Sequence, residues 1–162
     1  MAHARAALVD RSIDPATLIA EVSDRSRGAI CTFVGTVRDQ HAGRAVTGLQ
    51  YDCYESMAAR ELESIVAEAG ERFGDPAIAV EHRVGTLVVG EIAVAIAAAH
   101  VRRASAIGAM QYVIEEIKKR LPIWKLEHYA DGTRAWVRGS DAADHAAGAT
   151  ADTAAGAAGA AA

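Results

Sequence analysis

The positively charged stretch from Lys118 to Lys125, with the order Lys-Lys-Arg-Leu-Pro-Ile-Trp-Lys, is the part of the sequence most suited to chemistry. Cations in the last turn of a helix interact favourably with the helix dipole, and proline stops a helix, so residues 118–120 have a structural explanation. That explanation does not extend to Lys125, which follows a tryptophan where the chain turns back. A lysine beside apolar surface can act as an acid or a base. Lys125 is therefore a candidate catalytic residue, with a plain surface charge as the alternative.

Three arginines lie where predicted elements begin or end. Arg38 follows a predicted strand and opens a polar loop, while Arg102 and Arg103 lie where a strand gives way to a long helix. The amides at a helix start favour anions, and a guanidinium fork suits the oxygens of a phosphate ester. The three arginines are therefore candidate phosphate-binding residues, with solvated surface charge as the alternative for each one.

Composition and motifs exclude several classes of function. The net charge of −4 and the pI near 5.8 provide no overall basic field for nucleic acid or an anionic membrane, and aromatic residues make up only 5%. The sequence has no phosphate-binding glycine loop, dinucleotide fingerprint, nucleophile elbow or paired-cysteine zinc motif, so no cofactor or metal is expected. His82 and His100 are interpreted as structural histidines. Cys31 and Cys53 are interpreted as free thiols, which fits a reducing cytoplasm.

Alternating strand and helix signals predict an α+β domain with two main helices on a mostly antiparallel sheet. A short N-terminal helix is predicted from Asp14-Pro15 to about Val22, and a polar loop covers residues 39–44. The long helices are predicted at 55–73 and 103–120, the strands at 29–37, 46–54, 77–84, 86–89 and 91–99, and a closing hairpin at 124–129 and 134–137. The apolar stripe of the second long helix is predicted to comprise Ile107, Met110, Ile114, Ile117 and Leu121.

The final stretch of the chain differs sharply in composition from the rest. Residues 139–162 contain thirteen alanines and four glycines, and no apolar residue larger than alanine. Such a segment has little with which to anchor itself to a core. We therefore expect one catalytic domain over residues 1–138 and a disordered tail over residues 139–162.

The order and spacing of several short motifs resemble those of the large, catalytic subunit family of molybdopterin synthase. The most specific element is Pro122-Ile-Trp-Lys125-Leu-Glu127 with Lys118 seven residues before the second lysine. The other matching stretches are Gly28-Ala-Ile-Cys-Thr-Phe-Val-Gly35, Val37-Arg38-Asp39, Leu49-Gln-Tyr-Asp-Cys-Tyr54, Met57-Ala58, His82-Arg83-Val-Gly85, Gly90-Glu91, Asp131-Gly132 and Trp136-Val137. The resemblance covers roughly residues 28 to 137, nearly the whole predicted domain.

The resemblance implies a fold of the α/β-hammerhead-like type and a sulfurtransferase activity without a cofactor. In that family, sulfur from the C-terminal Gly-Gly thiocarboxylate of a small ubiquitin-like subunit is transferred to cyclic pyranopterin monophosphate, which forms the dithiolene of molybdopterin. The functional lysines of the family fall on Lys118 and Lys125, and its early arginine falls on Arg38. A later His-Arg pair falls on Arg102 and Arg103, so that arginine replaces the usual histidine; His100, two residues earlier, is one candidate substitute.

Two other functions fit the same cations. A non-catalytic module would hold a phosphorylated ligand or a C-terminal carboxylate without turnover, and a metal-independent hydrolase or lyase would act on a phosphate ester without a partner protein.

Helix geometry adds an expectation about assembly. Arg103 and Lys118 are separated by about 22 Å on one predicted helix, so a site that uses both is expected to lie at a two-fold homodimer interface within a heterotetramer.

Overall fold

The computed structural model describes residues 3–137, and the predicted tail lies outside the described residues. The elements are β1 (Ala4–Val9), α1 (Pro15–Val22), β2 (Ala29–Thr36), β3 (Gln40–His41), β4 (Arg44–Cys53), α2 (Glu55–Phe73), β5 (Ala77–Arg83), β6 (Gly85–Val88), β7 (Ile92–His100), α3 (Arg103–Arg120), β8 (Ile123–Tyr129) and β9 (Arg134–Val137). The predicted α+β class, the short N-terminal helix and the closing hairpin are confirmed. No helix among residues 3–137 is both long and apolar enough to cross a membrane.

A four-stranded sheet with the order β1-β5-β7-β2 forms the centre of the molecule. Its larger side chains, among them Ile78, Val80 and Ile96, pack against α2 and α3. The opposite face is made of alanines such as Ala79 and Ala97, which let the short helix α1 pack closely. Because both faces are covered, β5 is buried along its whole length and β7 is buried except at its two ends, instead of alternating between buried and exposed residues.

A second sheet extends from the first and carries most of the polar residues of interest. Its order is β3-β4-β8-β9, and β6 pairs with residues 48–51 of β4 on the edge opposite β8. A small core of Val37, Leu49, Leu87 and Ala93 joins this sheet to the central one. The strands therefore divide between two sheets where the sequence predicted one, because β4 pairs with β6 and β8 and not with β2.

Two strands were absent from the sequence prediction. The segment β1 is rich in alanine and has little intrinsic strand preference, but it pairs in parallel with β5 along its whole length, from Ala4 opposite Ile78 to Val9 opposite Arg83. The predicted polar loop at 39–44 is instead a tight hairpin. Ala42 and Gly43 have φ angles of 49° and 78°, which are typical of a two-residue turn between β3 and β4.

The buried face of α3 differs from the predicted stripe. Its buried residues are Ala106, Ala109, Val113 and Ile117, whereas Ile107 is 49% exposed. Alanines bring the helix close to the sheet, so the face with the larger residues lies partly off the core. The prediction for Ile107 was wrong because it weighted large side chains and ignored small ones. Ile114 and Leu121 lie at the margin of the core and face a groove.

Interhelical ion pairs fix the C-terminal end of α3. The Arg120 guanidinium donates to Glu61 at 2.6 Å and to Glu68 at 2.6 and 2.8 Å, both on α2. Hydrogen bonds from Arg120 and then Tyr112 lower the pKa of the Glu68 carboxyl to about 2. Arg120 is thus a structural cation, and its attachment to α2 leaves Lys118 and Lys119 on the side of the helix that faces the groove.

Close packing between α2 and α3 predicts opposite effects for one substitution at two helical glycines. A Cβ at Gly108 would lie 2.5 Å from the Phe73 ring, whereas a Cβ at Gly70 would meet nothing within 4 Å. Overpacking costs about 1–3 kcal/mol, and the gain in helix propensity from glycine to alanine is about 0.5–1 kcal/mol. We expect Gly108→Ala to lower the free energy of unfolding by about 1 kcal/mol and Gly70→Ala to raise it by about 0.5 kcal/mol. Urea denaturation measures both values, and a gain for Gly108→Ala would contradict the packing argument.

Candidate active site

A large open groove lies between α3 and the second sheet and has a volume of about 1110 Å³. Arg38, which follows β2, Lys118 on α3 and Lys125 on β8 all line it. Lys119 also lines the groove, so that four cations face two carboxylates, Glu115 and Glu127. The groove is therefore locally basic in a chain whose net charge is −4. We call this feature the basic groove.

Strand β8 presents three polar side chains on one face. Side chains two residues apart in a strand point to the same side, which groups Lys125, Glu127 and Tyr129. The Lys125 ammonium lies 2.8 Å from Glu127 Oε1, and the Tyr129 hydroxyl donates to Glu127 Oε2 at 2.9 Å. Tyr51 is opposite Lys125 in the antiparallel pair with β4 and lines the same groove.

The tight hairpin between β3 and β4 brings a histidine to the same carboxylate. His41 immediately precedes the turn, and its Nδ1 donates to Glu127 Oε2 at 2.7 Å. Only 2% of Glu127 is exposed, so its charge depends on these donors. Burial alone would raise the pKa of Glu127, but the hydrogen bonds from Lys125, Tyr129 and His41 bring it below its ordinary value.

A second layer of contacts supports Tyr129 from behind. The Arg44 guanidinium stacks on the Tyr129 ring at 3.5 Å from its centroid and donates to Asp131 at 2.9 Å. Burial, followed by the hydrogen bond to Glu127, raises the pKa of the Tyr129 hydroxyl, so the residue remains a protonated donor. Hydrogen bonds from Thr133, and then from Arg44, lower the pKa of Asp131 to about 2.

His82, at the end of β5, forms part of the groove wall. Its Nδ1 donates to the Arg83 carbonyl at 2.8 Å, and its ring packs edge-on against Tyr51 with centroids 5.2 Å apart. Burial lowers the pKa of His82 to about 4, because an imidazolium there would lose its hydration. The ring is therefore neutral and packs against its neighbours, which agrees with the interpretation of His82 as a structural histidine.

Burial of neutral His82 predicts a pH-dependent stability. The unfolded chain binds a proton at this residue near its ordinary pKa, while the folded chain binds it only at about 4. The unfolded state thus binds more protons as the pH falls through this window, and stability decreases by about 3 kcal/mol between pH 7 and pH 4. Urea denaturation of the wild type and His82→Gln across this range isolates the contribution. Parallel stability curves for the two proteins would contradict it.

The groove is suited to binding an anion and exchanging protons. Guanidinium and ammonium groups from three separate chain segments line this groove. Apolar or neutral residues such as Ile114, Leu121 and His82 form part of its wall. Charge-assisted hydrogen bonds to a phosphate are strong in such surroundings. Ammonium groups can also stabilise negative charge that develops during a reaction.

Comparison with known proteins identifies the family. Residues 8–120 match the model of the MoaE protein family.

The chain belongs to the MoaE protein family.

A catalytic subunit of molybdopterin synthase from Oryza sativa subsp. indica is 46% identical over 120 residues, which is 74% of this chain and 62% of that relative. The chain thus spans less than two thirds of the length of that relative. A molybdopterin synthase structure from Staphylococcus aureus is 32% identical and covers 82% of this chain and 96% of its own, with a TM-score of 0.77. A complex of subunits 1 and 2 of molybdopterin-converting factor from Helicobacter pylori shares the fold, with a TM-score of 0.67 at 22% identity over 83% of this chain and 90% of its own.

Arg102 and Arg103 do not join the other predicted site residues. Arg102 is the N-cap and Arg103 the first residue of α3, at the opposite end of the helix from Lys118, and neither lines the basic groove. His100 does not reach the groove either. Its Nε2 donates to the Gly74 carbonyl at 3.0 Å, and its Nδ1 accepts from the Arg102 amide at 3.0 Å. Both ring nitrogens of His100 therefore bond within the chain.

The two cysteines of the chain are free and partly buried. Burial, with the nearby carboxylates of Glu55 and Asp52, raises the pKa of the Cys53 thiol and disfavours the thiolate. Nucleophilic chemistry needs the thiolate, so Cys53 is a poor candidate nucleophile.

Sequence reasoning missed three residues that surround Lys125: Glu127, Tyr129 and His41. The alternation of β8 was a usable signal for the first two, since Glu127 and Tyr129 follow Lys125 at steps of two. No comparable signal existed for His41, because its contact with Glu127 spans 86 residues and depends on the hairpin register.

Proposed function

We propose that this chain is the catalytic subunit of molybdopterin synthase. In this proposal it transfers sulfur from the C-terminal thiocarboxylate of a small ubiquitin-like partner to cyclic pyranopterin monophosphate, in the cytoplasm. The observation that carries the proposal is the convergence of Arg38, Lys118 and Lys125 from three distant segments in one groove. Family membership and the likeness to a catalytic subunit from rice support the same assignment.

The substrate chemistry matches the groove in charge. A monophosphate and a thiocarboxylate are both anionic, and their approach to each other requires cations that reduce the repulsion between them. Arg38 offers a planar fork for the phosphate, and the two lysines offer compact charges close to the reacting atoms. Because the partner delivers sulfur that is already nucleophilic, the chain has only to bind anions, move protons and stabilise developing charge.

The volume of the groove also fits two occupants. Pockets for one small ligand typically have volumes of about 300–1,000 Å³, and the basic groove has about 1110 Å³. The pyranopterin would leave room for an extended, glycine-rich chain end. The Helicobacter pylori neighbour is a complex of two subunits of molybdopterin-converting factor, and our proposal extends a two-subunit arrangement to this chain.

The positions of Arg102 and Arg103 favour a shared site. Arg102 and Arg103, at the start of α3, do not line the groove of their own chain. The residues of α3 that do so with a positive charge, Lys118 and Lys119, lie at the other end of the helix. We propose that a two-fold homodimer places Arg103 of one protomer beside Lys118 of its twin, with Arg102 flanking the phosphate. One small partner at each outer end would complete a heterotetramer.

Reconstitution with defined components tests the proposed function. The chain is incubated with cyclic pyranopterin monophosphate and a ubiquitin-like partner that ends in a Gly-Gly thiocarboxylate, and the dithiolene product is measured. We expect product only with the thiocarboxylate, and none with the same partner ending in a carboxylate. Binding without product would favour a module, and consumption of the pterin without any partner would favour a hydrolase or lyase.

A further inference from the structure

The buried carboxylate of Glu127 has donors on both of its oxygens, and they are divided unequally. Oε1 pairs with the Lys125 ammonium at 2.8 Å. Oε2 accepts from His41 Nδ1 at 2.7 Å and from the Tyr129 hydroxyl at 2.9 Å. The His41 and Tyr129 donors thus both bind Oε2, and Oε1 remains for the lysine.

We propose that His41 and Tyr129 are positioning residues for Lys125, which they orient through Glu127. This inference rests on the proposed function, in which Lys125 acts on the reacting groups. His41 and Tyr129 themselves contact the carboxylate and not the lysine, so neither is a catalytic residue in this scheme.

The geometry explains how the orientation arises. With Oε2 held by two donors from different strands, the carboxylate plane cannot rotate freely, and Oε1 stays directed at Lys125. An ammonium has three N–H donors, and a contact at a single oxygen leaves the others available to the groove. Only 17% of the Lys125 side chain and 3% of the Glu127 side chain are exposed, so little water competes for these bonds.

The donors are themselves held in place by packing. The turn at Ala42-Gly43 fixes His41, and the Arg44 guanidinium lies 3.5 Å over the Tyr129 ring. Without the two donors, Oε2 would be an unpaired acceptor for the same ammonium. Lys125 would then bridge both oxygens and direct fewer protons into the groove. Removal of the donors should therefore reduce turnover without weakening substrate binding.

The charged surroundings of Glu127 set the expected effect on pH dependence. Lys125 and Tyr129 face it from β8, His41 from β3, and Arg44 lies behind Tyr129 on β4. The other titratable groups of the basic groove are Arg38, Tyr51, His82, Glu115, Lys118 and Lys119. The three hydrogen bonds hold the pKa of Glu127 below its ordinary value, so the carboxylate is lost only as the pH falls through that depressed pKa. Loss of two donors should raise this pKa and move the acid limb of kcat to higher pH.

The test compares His41→Leu and Tyr129→Phe with the conservative His41→Gln, whose amide can still donate. Tyr112→Phe is the matched control, because Tyr112 also donates to a glutamate, Glu68, at 2.7 Å but lies outside the groove. We expect kcat for dithiolene formation to fall about 10- to 100-fold in His41→Leu, the loss typical when a group that orients a functional residue is removed. KM for the pterin should be unchanged, and His41→Gln should recover part of the loss.

A second measurement separates this inference from the proposed function. The ¹³C chemical shift of the Glu127 carboxyl reports its titration without any turnover. We expect a higher pKa in His41→Leu and Tyr129→Phe and no change in Tyr112→Phe. If the titration changes in the two variants but the wild-type protein never makes dithiolene, the proposed function is refuted and the contacts with Glu127 still stand. Unchanged titration and unchanged kcat in both His41→Leu and Tyr129→Phe would overturn the positioning role, as would a loss confined to KM.

Discussion

Lys125→Gln is expected to reduce sulfur transfer by about two to four orders of magnitude, the usual cost of losing a positioned acid or base. Glutamine keeps a donor for Glu127 but lacks the charge and the transferable proton of lysine. This choice matters because Lys125→Ala would leave a carboxylate with only 2% exposure without its cation, which is strongly destabilising. Because Lys125 is the ion-pair partner of buried Glu127, glutamine is the substitution that separates the loss of activity from a loss of folding.

Lys118→Ala is expected to cause a loss of the same order with only a small penalty in stability, about 1 kcal/mol or less, since Lys118 is exposed on the last turn of α3. Single-turnover formation of dithiolene from the thiocarboxylated partner measures both variants. Arg60→Ala, which removes one positive charge from the exposed surface of α2, is the control for a general effect of charge. A folded Lys125→Gln protein with near wild-type turnover would remove Lys125 from the site.

The helices could be predicted from sequence because their signals are local. Glu55–Phe73 and Arg103–Arg120 have the predicted bounds, since Gly74 and Pro122 end them and their apolar periods are regular. Strand β1 escaped prediction because its conformation depends on pairing with β5, more than 70 residues away. Residues whose position depends on distant pairing cannot be placed by local propensity.

The same distinction applies within the site. The resemblance brought Arg38, Lys118 and Lys125 together as a set, and the structure places all three in the basic groove. It did not indicate that Lys125 has a buried counter-ion, although Glu127 belongs to the same short motif. The role of Glu127 depends on the positions of His41 and Tyr129. These positions are determined by the β3–β4 hairpin and by the pairing of β4 with β8.

Mixing two impaired variants is expected to restore activity if the site is shared between protomers. Arg103 and Lys118 are at opposite ends of α3, about 22 Å apart along the helix, which is too far for one small pterin to contact both. In a two-fold dimer, a heterodimer of Arg103→Ala and Lys118→Ala protomers has one site with both defects and one site with none. Random exchange at equal concentrations makes half of the dimers mixed, so roughly a quarter of the wild-type activity should return.

A second mixture provides the matched control. Lys118 and Lys125 line the groove of the same chain, so Lys118→Ala and Lys125→Gln protomers can never form an intact site together. That mixture should remain inactive under the conditions that rescue the first one. Native mass spectrometry of isotope-labelled protomers verifies that exchange has occurred. No rescue in the first mixture after exchange would mean that each site is built within one chain. Rescue in the second mixture would mean that Lys118 and Lys125 of one chain belong to different sites. Only then could a mixed dimer contain one site with both lysines intact.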